Sequence, residues 1–339
     1  MSNQVLPATL DLVHQAQKLF QQRPLLATTA AIGSLWTVNR ALSVLGGLYL
    51  HFIRRSSLPR YKRDADSDGV WALITGSSDG IGKGFAEEFC QRGFNVILHG
   101  RNETKLNNLR TTLLAQYPGR QIRILVFDVS HDLNDPTKLP TAIAALKDLK
   151  IRILVNNVAA LPLGRPMWIP YQTWQDTTTR ATIDANVTFC CDITRLLLPQ
   201  LIANQPGLII TVGSGASEVP VPYTAVYSGC KSFNMVFSRS LAAEMKAEGH
   251  DVEVLGVVSG LVSTAMEPRP VTLFCPTSRT FARSVLDKVG CGRSIIWPYL
   301  PHLINFGPVV AMPEWLKMQI SIGMARDEKA KEAKMLKGQ

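Results

Sequence analysis

The chain has no C-x-x-C pair among its six cysteines, and no group of His and Cys residues carries the spacing of a metal site. Closed zinc sites and dithiol redox chemistry are thereby excluded. Its thiols, at positions 90, 190, 191, 230, 275 and 291, read as reduced residues of a cytosol-facing protein. There is no internal repeat, and no low-complexity tract outside the charged tail. Charged residues are scarce at 18% against 46% hydrophobic, which excludes a disordered chain and favours a substantial core. A length of 339 residues holds one large α/β domain with extra segments, or two small domains. The net charge of +10 gathers in Arg54, Arg55, Arg60, Lys62 and Arg63, and again in Arg326, Lys329, Lys331, Lys334 and Lys337. Neither run is interleaved with aromatics as a nucleic-acid surface is, so anionic lipid headgroups are the expected partners and nucleic acid is not.

After a leader over 1–24, residues 25–53 read LLATTAAIGSLWTVNRALSVLGGLYLHFI, apolar but for a break at Asn39 and Arg40. At ~1.5 Å per residue this stretch reaches across a bilayer. A central Arg costs about 2.5–3.5 kcal/mol on insertion scales, and either half alone is too short. Three arrangements follow: a tilted span with Arg40 buried, a hairpin turning at Asn39–Arg40, or a helix lying on the surface. Each makes the segment a membrane element. The late start and the missing small-residue cleavage site argue against a signal peptide. Basic residues follow the segment closely, whereas Lys18 and Arg23 alone stand before it, so the body is expected on the cytosolic face. Residues 54–69, with Pro59 and the polar run Asp64–Gly69, read as a basic linker.

From Val70 the pattern changes to short β-branched runs alternating with amphipathic stretches of helical length. Strands are expected over 70–75, 95–99, 122–127, 151–156, 207–212, 252–258 and 293–297, with helices such as 81–92 and 224–247 between them. Runs apolar on both faces belong to strands covered on both sides. The fold class is therefore α/β, a Rossmann-like doubly wound parallel sheet of about seven strands. Its ligand crevice lies at the strand carboxyl ends.

After the first strand comes TGSSDGIG, Thr75 to Gly82, and then a helix. Gly76, Gly80 and Gly82 let the backbone turn tightly and approach a pyrophosphate, with Ser78, Asp79 and Ile81 on the same turn. The helix N-terminus offers free N–H groups and a positive dipole end. A glycine turn without a ligand has the same local sequence, so position between strand and helix is what raises the signal. The second strand ends in His99-Gly-Arg101 with no acidic residue. An acid there meets a free ribose hydroxyl and an Arg meets a 2′-phosphate, so Arg101 argues for NADPH, against the plain reading of a surface Arg. Asp128, ending the third strand, either accepts from an adenine amino group or caps a loop.

Tyr227-Ser-Gly-Cys-Lys231 opens a helix, placing Tyr227 and Lys231 at i, i+4 on one face. Ketone reduction needs a proton at oxygen as hydride reaches carbon. A free phenol titrates near ~10, and an adjacent ammonium lowers that barrier. Ser214, at the end of the fifth strand, offers a hydroxyl to the carbonyl oxygen. A lone Tyr-x-x-x-Lys is common in helices; its place after strand five, behind Ser214, is not.

TGSSDGIG, NNVA (156–159), Asn186, Ser214 and YSGCK together resemble the short-chain dehydrogenase/reductase family over about residues 70–300. The resemblance implies that Tyr227 is the general acid, that Lys231 lowers its pKa and holds the nicotinamide ribose, and that Ser214 positions the carbonyl. It further implies that Asn186 keeps a water in a relay to Lys231, that Asn157 braces the sheet near the cofactor, and that Thr264 lies near the carboxamide. Intact Ser214, Tyr227 and Lys231 argue against a non-catalytic scaffold.

SDGIGKGFAEEF (78–89), ILVNNV (153–158), VPVPYTAVYSGCKSF (219–233) and the N-terminal apolar segment resemble the endoplasmic-reticulum branch of that family. It holds very-long-chain 3-oxoacyl-CoA reductases and 17β-hydroxysteroid dehydrogenases. The amphipathic, basic extension over 301–339 fits the same branch. This implies NADPH-dependent reduction of a ketone on a large lipid-like substrate, 3-oxoacyl-CoA first and a sterol, triterpenoid or other specialised lipid second. It also implies an endoplasmic reticulum membrane location with the body in the cytosol, and association as a homodimer or with elongation-complex partners. The chain departs from the family's pattern at Ala159, where Gly is usual, and at Ser259-Gly260, where Pro-Gly is usual. Lys334 and Lys337 lack the spacing of a two-lysine retrieval signal.

Overall fold

A computed structural model of the chain describes residues 21–63, 69–159, 168–266 and 268–337, together with 14, 15, 17 and 18. Seven parallel strands form one sheet: β1 (Trp71–Ile74), β2 (Asn95–Gly100), β3 (Ile122–Val126), β4 (Ile151–Asn156), β5 (Gly207–Val212), β6 (Val252–Val257) and β7 (Ile295–Ile296). Their order is β3-β2-β1-β4-β5-β6-β7, so the expected doubly wound sheet is present. The order reverses between β1 and β4, which opens a crevice at the carboxyl ends of those strands. The described helices are α1 (Pro24–Leu48), α2 (Gly80–Gln91), α3 (Glu103–Gln116), α4 (Val129–Asp132), α5 (Lys138–Ala144) and α6 (Asp176–Ile183). Then follow α7 (Phe189–Ala203), α8 (Ala225–Ala247), α9 (Ser278–Leu286), α10 (Leu300–Val310) and α11 (Glu314–Lys337).

Strands β1, β2, β4 and β5 are buried at every residue because helices cover both faces. Alternate side chains divide between two cores. Ala72, Ile74, Val96 and Leu98 join Phe85, Phe89 and Phe281, whereas Trp71, Leu73 and Ile97 join Phe189, Ile193 and Leu197. Each large apolar side chain so buried contributes about 1.5–3 kcal/mol. A one-residue slip would exchange the two sets, which fixes the register. Strand β7 is shorter than expected because it pairs with β6 only at Gly256 and Val257, and Pro298 follows closely.

Helix α2, which carries the glycine turn, is held from behind. Glu88 is 1% exposed and accepts from Arg279 at 2.9 Å and Arg283 at 3.0 Å, both on α9. Burial alone pushes this carboxyl up, but the guanidiniums outweigh it and hold it below the usual range.

The chain divides after Arg54 into two compact units. In the first, α1 runs unbroken through Asn39 and Arg40, and a π-helical turn over Tyr49–Ile53 follows. The hairpin reading is therefore wrong: nothing at that step breaks the helix, and Arg40 folds back to stand 5.5 Å from the Trp36 ring centroid. The bilayer span is not supported either. No helix among the described residues is long and apolar enough to cross a membrane. Asn39, Arg40 and the scattered Thr, Ser and Gly dilute the apolar run.

In the second unit, Leu58–Lys62 forms a 3₁₀ helix with Leu58 and Tyr61 buried. Tyr61 donates to Glu253 at 2.7 Å, Arg60 pairs with Asp251 at 2.9 Å, and Lys62 donates to the Arg92 carbonyl at 2.7 Å. The described part of the expected linker is thus docked at the amino end of β6, and these two cations are taken by protein. Residues 64–68 of that expected linker lie outside the described residues.

Candidate active site

Gly76 and Gly80 have φ of +63° and +54°, where a side chain is strained. A Cβ on Gly82 would stand 2.2 Å from the Gly76 carbonyl oxygen. The turn from β1 into α2 is therefore bare backbone. Asp79 caps the helix by accepting from the Gly80 N–H at 2.6 Å. The N–H groups of Ile81 and Gly82 belong to the first helical turn, which has no internal acceptors, and they form the dipole's positive end.

Two neighbouring strands hold this turn. Asn157, just past β4, donates through Nδ2 to the Thr75 and Gly76 carbonyls at 3.0 and 3.2 Å, and through its N–H to Thr75 Oγ1 at 2.8 Å. From β2, His99 accepts the Gly76 N–H at Nδ1, 3.2 Å away, while its carbonyl accepts the Ser77 N–H at 2.9 Å. Burial lowers the imidazole to about 4, so it is neutral, and it stacks on Phe189 with centroids 4.9 Å apart. Sequence reasoning passed over His99, whose one signal was its place at the strand end.

Ser78 lies against Gly100, and Arg101 follows directly, exposed at the carboxyl end of β2. Asp128 caps α4, its Oδ1 accepting the Ser130 N–H at 3.0 Å. A cleft of about 290 Å³ separates α2 from the loop after β6, lined by Asp79, Gly80, Lys83, Ser263, Thr264 and Thr277. Thr264 sits against Gly80, within 3.3 Å of where a Cβ would be. Lys83, unnoticed in the sequence, brings a cation to the same cleft. A bare turn, a helix N-terminus and an adjoining cleft that holds Lys83 together fit the pyrophosphate of a dinucleotide.

On the other side of the switch point, Ser214 stands two residues past β5. Its Oγ accepts the Ala216 N–H at 3.2 Å and lies beside the Tyr227 phenol. Lys231, one turn further along α8, is 2% exposed and donates to the Val212 carbonyl at 3.0 Å. Its ammonium stands 5.6 Å from the Tyr227 ring centroid, and burial lowers it to about 8. Burial pushes the Tyr227 phenol up, with the neighbouring Ser214 hydroxyl pulling the other way. The Lys231 ammonium lies over the Tyr227 ring and is tied to the Val212 carbonyl.

Asn186 lies in a π-helical turn, Asp184–Thr188, between α6 and α7, and donates to the Thr182 carbonyl at 2.8 Å. Such a turn is frequent at functional sites, and here it packs against α8. A cavity of about 10 Å³, the size of one water, is lined by Thr75, Asn156, Asn157, Asn186, Cys190 and Asn234. The Oδ1 atoms of Asn156 and Asn234 are buried with no partner among the described residues. Asn156 was quoted from sequence only as part of NNVA, with no role of its own, and Asn234, inside a helix, was not singled out.

Comparison with known proteins places this geometry. The chain is 36% identical over 281 residues to a very-long-chain 3-oxoacyl-CoA reductase of Podospora anserina, covering 81% of this chain and 78% of that protein. It is 31% identical to very-long-chain 3-oxoacyl-CoA reductase-B of Danio rerio, covering 91% of this chain and 96% of the relative. Among solved structures it resembles a 7β-hydroxysteroid dehydrogenase at TM-score 0.65 and 22% identity, over 75% of this chain and 96% of that one. A short-chain dehydrogenase from Sphingobium yanoikuyae in complex with NADPH aligns at TM-score 0.55 and 22% identity, over 70% and 91%. The family model for short chain dehydrogenase matches residues 70–270, from β1 through the loop after β6. With more than half its length so matched, and with bare turn, serine, tyrosine and lysine on one crevice, the chain belongs to the short-chain dehydrogenase family.

Proposed function

We propose that this chain reduces the ketone of a long-chain 3-oxoacyl-CoA to the 3-hydroxyacyl-CoA, with NADPH as reductant. The placing of the Ser214 hydroxyl beside the Tyr227 phenol, with buried Lys231 behind them, carries the reading. When bound, the dinucleotide supplies hydride to the carbonyl carbon. Tyr227, kept protonated by burial, gives its phenolic proton to the carbonyl oxygen, and the Ser214 hydroxyl donates to that same oxygen. The Lys231 ammonium then places positive charge beside the phenolate that remains. Support for the thioester substrate comes from the relatives, which are named 3-oxoacyl-CoA reductases in both fungal and vertebrate examples. Support for NADPH comes from Arg101, in a place where no acidic residue ends β2.

The same reading places the body on the cytosolic side of the endoplasmic reticulum, with α1 lying on the membrane. Leu25, Ile32, Leu35, Trp36, Leu42, Val44 and Leu45 are each at least 60% exposed, so α1 offers apolar surface around the helix that lipid would cover. Thr28, Thr37 and Ser43 donate their hydroxyls to carbonyls four residues back, at 2.8, 2.8 and 2.9 Å, which spares lipid the unpaired donors. A glycan at the exposed sequon Asn102-Glu-Thr104 would overturn that orientation, since glycans are added in the lumen.

The test is direct. Purified protein should oxidise NADPH with a long 3-oxoacyl-CoA and not with a 17-ketosteroid. Tyr227→Phe should lose at least ~100-fold in turnover while still binding NADPH. Turnover of the ketosteroid without the thioester would sink the substrate assignment.

A further inference from the structure

One short face of α11 meets three loops at the carboxyl ends of the sheet. Glu328 accepts from Arg269 at 3.1 Å, on the loop after β6. Lys329 Nζ stands 4.7 Å from the ring centroid of Tyr223, on the loop after β5. Glu332 accepts the Trp168 N–H at 3.2 Å, on the connection after β4. The carboxyl ends of β4, β5 and β6 are where a doubly wound fold receives its ligand, so α11 borders the substrate side of the crevice.

Tyr223 itself is unusual. With φ of 68° it is the one non-glycine residue in the left-handed region among the described residues. That conformation is costly for an aromatic residue and is kept here four residues before Tyr227. The Trp168 ring meets Tyr223 edge-on with centroids 6.3 Å apart, and Lys329 stands over its face.

The charges of α11 are unevenly spent. Glu328 serves Arg269 at 3.1 Å and Lys331 at 2.8 Å, and Glu332 is 6% exposed against Trp168. Lys329 makes no ion pair with any described carboxylate and is half-buried on an aromatic face. A cation so placed has given up part of its hydration without gaining a counter-ion, which leaves it ready for an anion. Arg326, exposed and three residues earlier, is its neighbour along the helix.

We infer that Lys329 holds the phosphorylated end of the acyl-CoA at the mouth of the crevice. This rests on the reading of the substrate as a CoA thioester, and adds how the carrier is recognised. Four residues of chain, at most about 14 Å, separate Tyr223 from Tyr227. With the Tyr223 ring and the lysine added beyond that limit, the ammonium stands within reach of the phosphates of an extended substrate whose ketone lies at Tyr227. An ammonium is a compact point charge and a natural phosphate partner. Neutral ketones gain nothing from it, so α11 selects for the carrier.

The experiment separates carrier from ketone. Kinetics are measured with a 3-oxoacyl-CoA and with the same acyl group on N-acetylcysteamine, which has no phosphate; free coenzyme A is titrated by calorimetry. Lys329→Ala should raise KM for the CoA thioester and Kd for coenzyme A about tenfold, the scale of one charge-assisted contact. Turnover number should hold, the N-acetylcysteamine KM should not move, and Lys329→Arg should restore most of the loss. An equal rise in KM for both thioesters would reduce Lys329 to a brace for the helix and overturn the inference. So would an unchanged Kd for coenzyme A. A loss confined to binding of phosphatidylserine vesicles would assign the cation to headgroups and also overturn it. Wild-type protein that reduces the N-acetylcysteamine thioester but does not bind coenzyme A overturns the carrier site alone. Failure with both thioesters strikes the proposed reaction itself, and the inference with it.

Discussion

The ammonium of Lys231 donates to the carbonyl oxygen of Val212 at 3.0 Å, two residues before Ser214 on the same strand end. One side chain thereby ties the first turns of α8 to β5 and fixes the spacing of the tyrosine and serine. It also sets a pH limit. Burial lowers the ammonium to about 8, so its charge is present below that value and lost above it. In the free enzyme, kcat/KM for reduction should therefore fall as pH rises through about 8. Lys231→Met should lack that limb and lose at least ~100-fold overall. A wild-type profile that stays flat well above this pH would remove Lys231 from the chemistry.

Gly82 gives a second prediction. Its missing Cβ leaves room for the Gly76 carbonyl, which would otherwise lie 2.2 Å away, and both partners are backbone. Gly82→Ala must push the turn out of shape, at a cost of about 1–3 kcal/mol in stability. The same displacement re-aims the N–H groups at the start of α2. NADPH affinity, read by fluorescence titration, should drop more than the melting temperature shift accounts for. Normal NADPH binding in a folded variant would rule out the turn as the phosphate cradle.

Arg101 tests cofactor choice. It is exposed directly after β2, and no acidic residue stands at that strand end. A guanidinium there pairs with a 2′-phosphate that NADH lacks. Arg101→Ala should weaken NADPH by about 10- to 100-fold and change NADH by less than about threefold. Equal losses for both cofactors would mean that Arg101 supports the fold and reads no phosphate.

Much of this site was legible because its signals are local. Strands β2, β4, β5 and β6 fall within a residue of the expected limits, since apolar runs covered on both faces leave an unambiguous pattern. The glycine turn and the Tyr227–Lys231 spacing are likewise written within eight residues of chain or fewer. What escaped depends on contacts distant in sequence. His99 supports Gly76 from the neighbouring strand, and Asn156, quoted only within NNVA, faces Asn234 across a water-sized cavity. Lys329 reaches Tyr223 across about a hundred residues of chain, by docking of a helix whose basic run reads as a surface for lipid headgroups. The apolar content of α1 was plain in the sequence, but its continuity through Asn39 and Arg40 was not, because polar residues in mid-helix mark a turn and an exposed face equally well.

His99 gives the last prediction, in acid. Its imidazole is buried, accepts the Gly76 N–H at Nδ1, and is lowered by burial to about 4. In the unfolded chain it titrates near ~6.5. Between those values the unfolded state binds a proton that the folded state refuses, so stability falls as pH drops from the higher to the lower. The full loss is on the order of 3 kcal/mol once pH reaches the folded value. Protonation would also convert Nδ1 from acceptor to donor and turn it against the Gly76 N–H, so the cofactor turn should loosen with the fold. His302 is lowered by burial as well and adds a loss of the same sign, which makes the wild-type curve alone ambiguous. The difference between wild type and His99→Gln isolates the term, since the amide oxygen still offers an acceptor and cannot titrate. Urea denaturation followed across that pH range should show the variant losing stability more slowly than wild type. Parallel curves would mean that His99 is hydrated in the folded protein, and that the Gly76 turn does not depend on its neutral form.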